Sequence, residues 1–381
     1  MFTPETSSLF SVRTDEKSGA TYYVLTEKVA QFQQGFYFVN NSMTDDGRYL
    51  WFYAAHPPVF DGALRQLGFI DFETDEICLC HDTLFEHASP FVDNETGEVY
   101  FTWQNRVFRR APKKDARTEV IAEIPTKGSP VHISTHITFT PDKKEILLDV
   151  REGNTNFYVG TVNLKTGLFT KWAEAPHLLN HGQLNPKNPD LSLQAYDHYA
   201  DCITGEAVSV PHDEQGVYQR LWTVTRDGKK TNYPPNDNYA THEWWSADGK
   251  KIYYVNPEGI QRIHLETGEH INLHKSRPWH AFSSRDESFF IYDEVVYDTY
   301  NKWYRGCPAK MTFWDRKTDV EIDVVSYMPP AGSPDKPCNY HMDPHPRITD
   351  NEKYVVFTTT TEGSVDLAIA PVAPLLQKTR I

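Results

Sequence analysis

The sequence offers little from which to build a helical or membrane-spanning protein. No stretch approaches the roughly 18 consecutive apolar residues that a spanning helix needs, and no long segment rich in Ala, Leu, Glu and Lys is present. Basic charge is also scarce: 38 Lys and Arg stand against 52 Asp and Glu, a formal net charge of −14. A nucleic-acid-binding surface ordinarily carries a basic surplus, so that class is set aside, as is a membrane partner. The same acidity works against long-range attraction of an anionic ligand. Such a ligand would need a local cluster of Arg, Lys, His or a metal.

Cysteine is sparse and odd in number: Cys78, Cys80, Cys202, Cys307 and Cys338. Cys78-x-Cys80 is not a zinc-knuckle spacing, and five cysteines do not make a disulfide framework. The N-terminal segment MFTPETSSLFSVRTDEKSG lacks a basic region followed by an apolar run, the pattern of a secretory leader. The expected location is the cytoplasm, or the periplasm if a leader has been removed.

What is abundant is aromatic and turn-forming. Tyr and Phe number 21 each and Trp 9, with 25 Pro and 20 Gly, a composition suited to many short strands joined by turns. A recurring unit organises them. Thr44-Asp45-Asp46-Gly47, Val92-Asp93, Thr140-Pro141-Asp142, Asn185-Pro186-Lys187, Ser246-Ala247-Asp248-Gly249, Ser284-Arg285-Asp286 and Thr349-Asp350-Asn351 each precede an aromatic or β-branched run. Such residues favour tight hairpins. Second hairpins recur in DFETDEICLC, NLKTGLFTKW and HLETGEHINL. Seven units at a period of about fifty residues, with four strands each, read as an all-β, seven-bladed β-propeller spanning residues 1–381 as one domain. The last unit holds only about two strands after Asn351. The segment 21–26, TYYVLT, is expected to supply the missing outer strand and close the ring.

Six residues before each turn position stand Asn40, His87, His136, His181, His242, His280 and His345. Six of these seven are histidine, in a chain with 16 histidines in all. In a propeller that position lies at the start of each innermost strand, where the blades converge on the central channel. Imidazoles sharing a mouth can bind a metal or move protons. Taken singly, each is as well read as a core histidine bonded to nearby backbone; taken as a set, they read as a functional mouth. Further polar groups belong with it: His132, four before His136; Gln183, two after His181; and His198 on the next strand. Trp244, Trp245 and Trp279 are either sugar-stacking platforms or inter-blade packing. In Tyr340-His341-Met342-Asp343-Pro344-His345-Pro346, Asp343 and His345 are two apart and would share one face of a straight strand. A carboxylate and an imidazole there form a half-site for a divalent cation.

Thr-His-Glu-Trp-Trp (241–245), Trp-His (279–280) and Asp-Pro-His-Pro (343–346) resemble motifs of the oligogalacturonate lyase family of polysaccharide lyases. The broader likeness takes in other propeller lyases of uronate-containing polysaccharides, such as ulvan lyases. The motifs span roughly residues 175–371; the N-terminal half matches by repeat pattern. The resemblance implies a seven-bladed propeller that cleaves short pectic oligomers by β-elimination. It also implies a manganese ion held by three histidines and a glutamine. His280 and His345 match ligand positions, Asp343 replaces a histidine, and Tyr340 stands where the glutamine is expected, with His341 beside it. Zinc or calcium is an alternative metal, because the carboxylate of Asp343 hardens the site. The family's arginine base matches Arg220 in Gln219-Arg220-Leu221-Trp222, and His181 and His242 match positions lining the mouth.

The chemistry suits these residues. β-Elimination removes the proton α to a uronate carboxylate, so the carboxylate charge must be neutralised as an enolate-like state develops. A metal or an arginine does this. Because Arg is ordinarily always protonated, Arg220 is either the base, by resemblance, or a carboxylate clamp. The expectation is therefore a lyase with catalytic Arg220, His181 and His242. Its acidic oligosaccharide substrate would be held by His136, His198, Gln183, Trp244 and Trp279, and its metal by His280, His345, Asp343 and His341. The alternatives are a non-catalytic propeller that binds a glycan or protein, and a hydrolase or isomerase on the same scaffold.

Overall fold

A computed structural model describes residues 1–56, 65–126, 131–201, 204–233, 239–296, 307–330, 332–333, 336–337 and 343–380. Seven antiparallel sheets follow one another along the chain and form the blades of a propeller. The innermost strands are Phe32–Gln34, Phe91–Val92, Val131–Ile133 with Thr138–Phe139, Leu179–Leu184, Thr241–Trp245, Pro278–Ser283 and Arg347–Ile348. Among the described residues no helix is long and apolar enough to cross a membrane, and Cys78, Cys80 and Cys307 are free thiols.

The repeated turns build themselves by the same hydrogen bonds in blade after blade. Thr44 Oγ1 donates to Asp46, whose carboxylate accepts from Arg48 N, while Tyr49 N donates back to Thr44 Oγ1. Thr140 with Asp142, Ser246 with Asp248, and Thr349 with Asn351 repeat the arrangement. The short polar side chains satisfy backbone donors that the hairpin leaves open. The same turns latch neighbouring blades. Lys143 reaches Asp93 at 2.7 Å, Lys251 reaches Glu287 at 2.6 Å, and Arg285 N donates to Glu352 at 2.6 Å. Asn351 Nδ2 donates to the Asp45 carbonyl at 3.0 Å, joining the last blade to the first.

Between blades the filling is aromatic. Trp51 is fully buried, and its indole donates to the Gly97 carbonyl at 2.8 Å. Truncating such a side chain costs about 3–5 kcal/mol. Ring closure is more extensive than the sequence suggested. Thr21–Leu25 pairs with Asp366–Pro371 through Tyr23↔Ile369 and Val24↔Ala368, and Phe10–Thr14 then adds outside it. The closing blade thus carries five strands, two of them N-terminal. The helix Val372–Thr379 follows and tucks Val372 and Leu375 into the same core.

One feature of the inner strands positions the site. In blades 4, 5 and 6 the pairing with the second strand slips between Asn180 and Gln183, Thr241 and Trp244, and Pro278 and Ala281. His181, His242 and His280 lie inside these bulges rather than at the strand starts. A bulge leaves an unpaired residue and redirects its side chain. His87, His181, His242 and His345 adopt left-handed backbone with φ of 53°, 56°, 51° and 44°. This conformation costs a non-glycine residue about 1–3 kcal/mol, and such strain collects at functional sites.

Candidate active site

The bulges turn His181, His242 and His280 towards the channel, where Asp343 and His345 meet them. Together with Arg220, Asp197, His198, Tyr218 and Trp279 they line a cavity of about 210 Å³. A second cavity of about 380 Å³ adjoins it and shares Tyr37, His181, Asp197 and His345; His87 and His136 line its far wall. The ring expected from the register therefore exists, but its seventh member is not in it. Asn40 is buried and donates to the Pro90 carbonyl at 2.7 Å, a packing role between the first two blades. Tyr37 occupies the middle of the mouth instead. Its ring stacks on His136 at 4.4 Å and lies 4.7 Å from His345, 5.8 Å from His181 and 5.9 Å from His280. Nothing in the repeat pattern pointed to Tyr37.

On one side of the mouth a guanidinium and an imidazole share buried carboxylates. Arg220 is 3% exposed. It donates to the Tyr196 carbonyl at 2.9 Å and to Asp197 at 3.2 Å, with Glu243 at 3.7 Å. Burial alone would disfavour its charge, but Glu243 and Asp197 reverse that and raise its pKa above the usual arginine value. Glu243 has a fully buried side chain, and its Oε1 lies 3.2 Å from His181 Nδ1. Burial would raise the Glu243 pKa; Arg220 and His181 outweigh it and hold the carboxyl below its ordinary range. Arg220 Nη2 also lies 3.4 Å from His181 Nδ1. Both Arg220 and an ionised Glu243 cannot satisfy that nitrogen at once. The shorter contact to the carboxylate favours the tautomer with the proton on Nδ1, which leaves Nε2 as an acceptor. His181 N donates to Thr135 Oγ1 at 2.9 Å and fixes the bulge to the neighbouring blade.

On the other side lies a compact donor set. His280, Asp343 and His345 are buried, and their ligand atoms lie within 4.8 Å of one another. His280 Nε2 is 3.9 Å and His345 Nε2 is 3.7 Å from Asp343 Oδ2. Asp293 orients His280 from behind, accepting from its backbone N at 2.6 Å and lying 2.9 Å from its Nδ1. This carboxylate–imidazole pairing typically stands behind a metal-ligating histidine. His242 packs against His280 with ring centres 4.2 Å apart. Burial, with His280 next, pushes the His242 imidazole well below its ordinary pKa, so it is neutral. Two imidazoles and a carboxylate with this second-row support fit a divalent cation. Tyr340 and His341 lie outside the described residues.

The remaining expected residues divide. His136 is buried behind Tyr37, and Trp279 lies beside His242 at 5.3 Å. His198 is exposed at the rim and accepts from Val210 N at 3.3 Å. Gln183 and Trp244 do not reach the mouth and line a separate cavity of about 370 Å³ among the hairpin turns. Gln183 Nε2 donates to the Glu243 carbonyl at 2.8 Å. Trp244 is 1% exposed, stacks on Tyr253 at 5.1 Å and donates to Ser283 Oγ. It is therefore inter-blade packing and not a sugar platform. The bulges explain both displacements, because the extra residue breaks the i, i+2 parity that would have placed Gln183 with His181 and Trp244 with His242.

Fold and site together define a seven-bladed β-propeller with a polar, histidine-rich mouth at one end of its channel. Its overall structure is similar to that of an oligogalacturonate lyase in complex with manganese, at a TM-score of 0.74 and 18% identity over 95% of this chain and 96% of that one. It is similar also to an oligogalacturonate lyase from Vibrio parahaemolyticus, at 0.71 and 16% over the same shares. A puromycin hydrolase matches at 0.62 and 11%, over 95% of this chain and 56% of its own. No family profile and no curated sequence matches the chain. At these identities the likeness establishes the fold.

Proposed function

We propose that this protein is a lyase that cleaves 4-linked uronate-containing oligosaccharides by β-elimination at the propeller mouth. The observation that carries the reading is one cavity lined by an oriented imidazole, a buried guanidinium and a buried His–Asp–His donor set. The fold shared with two oligogalacturonate lyases supports it.

Charge supplies the argument for a metal. Arg220 is paired with Asp197 and Glu243, and Asp343 and Asp293 stand beside His280, so the described side chains leave the mouth acidic. A uronate would be repelled unless further positive charge were present. His280, Asp343 and His345 would hold a divalent ion, manganese by analogy with the structural neighbour, and it would supply the Lewis-acid polarisation of the carboxylate that elimination requires. The chain's own groups divide the proton work. Arg220, kept protonated by its two carboxylates, is ill suited as a base and serves as a fixed positive charge towards the substrate carboxylate. His181, with Nδ1 held by Glu243, presents Nε2 to take the proton from C5. Tyr218 lines the same cavity; burial raises its phenol above the usual value, so its hydroxyl stays protonated and can donate to the leaving oxygen on C4. Neutral His242 donates to or accepts from the sugar without changing charge.

The test is ultraviolet detection of the conjugated unsaturated uronate on pectic, ulvan and rhamnosyl-glucuronate oligomers, with manganese added. Release of unsaturated product that is lost in His181→Ala is the expected result. Binding without product across the whole panel would overturn the lyase reading in favour of a glycan-binding propeller.

A further inference from the structure

We infer that Glu86, His87 and His132 form a second transition-metal site, on the rim of the mouth and separate from the His280–Asp343–His345 set. The inference does not rest on the lyase reading. The three ligand atoms lie within 4.8 Å of one another. His132 Nδ1 and Glu86 Oε2 are 3.1 Å apart. Bonds of about 2.0–2.1 Å in a tetrahedral site put neighbouring donors roughly 3.4 Å apart. The Glu86–His132 edge is therefore already near the required length, and only the third donor has to close in.

The scaffold holds these groups with little freedom. His132 belongs to the inner strand Val131–Ile133 and pairs with Arg151. Glu86 N donates to the Thr102 carbonyl at 3.1 Å. His87, at φ 53°, follows directly, and its carbonyl is capped by Arg65. That left-handed turn brings the His87 ring edge-on to His132, with centres 5.8 Å apart. The donors come from two adjacent blades, so a bound ion would also tie the second blade to the third.

The donor chemistry selects the metal class. Calcium and magnesium take oxygen ligands, whereas two imidazoles and one carboxylate suit zinc and its first-row neighbours. Three protein ligands leave a fourth position open. His87 and His132 line a cavity of about 410 Å³ together with Arg151 and His198, where water or an anionic group could complete the coordination.

The experiment is calorimetric titration of the metal-stripped protein with zinc, together with the visible spectrum of the cobalt-loaded protein. His132→Ala and Glu86→Gln are compared with His280→Ala. His132 is half exposed, so its removal leaves the fold intact, which a thermal melt checks. The expected result is one equivalent of zinc that survives His280→Ala and disappears in His132→Ala, with Glu86→Gln weakening it by at least tenfold. Cobalt at this site should give the intense visible bands of a tetrahedral centre, also lost in His132→Ala. If the buried set binds zinc as well, wild type takes two equivalents and each histidine variant loses a different one. Zinc stoichiometry and affinity unchanged in His132→Ala, or all binding abolished by His280→Ala alone, would overturn the inference. Either of those outcomes leaves the proposed lyase activity to be judged separately by its product.

Discussion

His181 Nδ1 lies 3.2 Å from Oε1 of Glu243, a carboxylate with no exposed side-chain surface that is delivered from the next blade. The pair is an imidazole with one nitrogen held and the other facing the cavity. A buried carboxylate in this place both fixes a tautomer and stabilises the imidazolium that forms when the ring accepts a proton.

Glu243→Gln tests that role. The amide keeps the size and one acceptor but removes the charge. We expect kcat to fall on the order of 10²-fold, within the range of general acid–base contributions. KM should change far less, and the acid limb of the pH–kcat profile should shift. An unaltered pH profile would show that Glu243 only packs.

Arg220 should be required for both stability and turnover. Arg220→Ala leaves Asp197 and Glu243 without their counter-charge, and breaking a buried pair costs about 3–5 kcal/mol. Arg220→Lys restores a charge but cannot serve the Tyr196 carbonyl, Asp197 and Glu243 together. The lysine variant is expected to recover much of the melting temperature and little of the activity, read by parallel melts and product assays.

Asp293 should act on metal affinity from behind His280. Asp293→Asn retains an acceptor for the His280 backbone N but loses the charge on Nδ1. Loss of such a partner typically lowers affinity about 10- to 100-fold. Manganese titration of the folded variant checks it. Equal affinity in wild type and Asp293→Asn would argue against His280 as a ligand.

Asp149 predicts a pH-dependent stability change. Burial pushes its carboxyl up to about 6, against the opposing hydrogen bonds from Thr135. A raised folded pKa means that the stability from the protonated form is present below the ordinary carboxylate value of about 3.9 and is lost as pH rises through about 6. Asp149→Asn removes that loss. The variant should match wild type near pH 4 and exceed it by on the order of 2–3 kcal/mol above pH 7. Melting curves across that range would refute it if the difference were flat.

Much of this was legible in the chain. The turns at Asp46, Asp142, Asp248 and Asn351 revealed the blades because their side-chain hydrogen bonds are local, made within about five residues. The histidines stood out because a repeat places equivalent residues at equivalent points around an axis. Asp343 and His345 were paired by their spacing, although an irregular segment and not a straight strand brings them together. Glu243 carried a signal of its own: an acid between His242 and Trp244 on an inner strand must find a partner once buried. Asp293, inside the apolar run 289–295, carried the same signal.

The sequence by itself determined the number of blades, the closing of the ring by the N-terminal segment 21–26, and the register that repeats histidine from blade to blade. All of these follow from short-range turn chemistry and from repetition. Tertiary structure alone decided that Tyr37 fills the mouth in place of Asn40, that Glu243 backs His181, and that Gln183 and Trp244 face away. Those outcomes depend on β-bulges that reverse side-chain parity, and on contacts between residues tens to hundreds of positions apart. Neither leaves a mark in the local pattern, because both arise only when neighbouring blades meet around the channel.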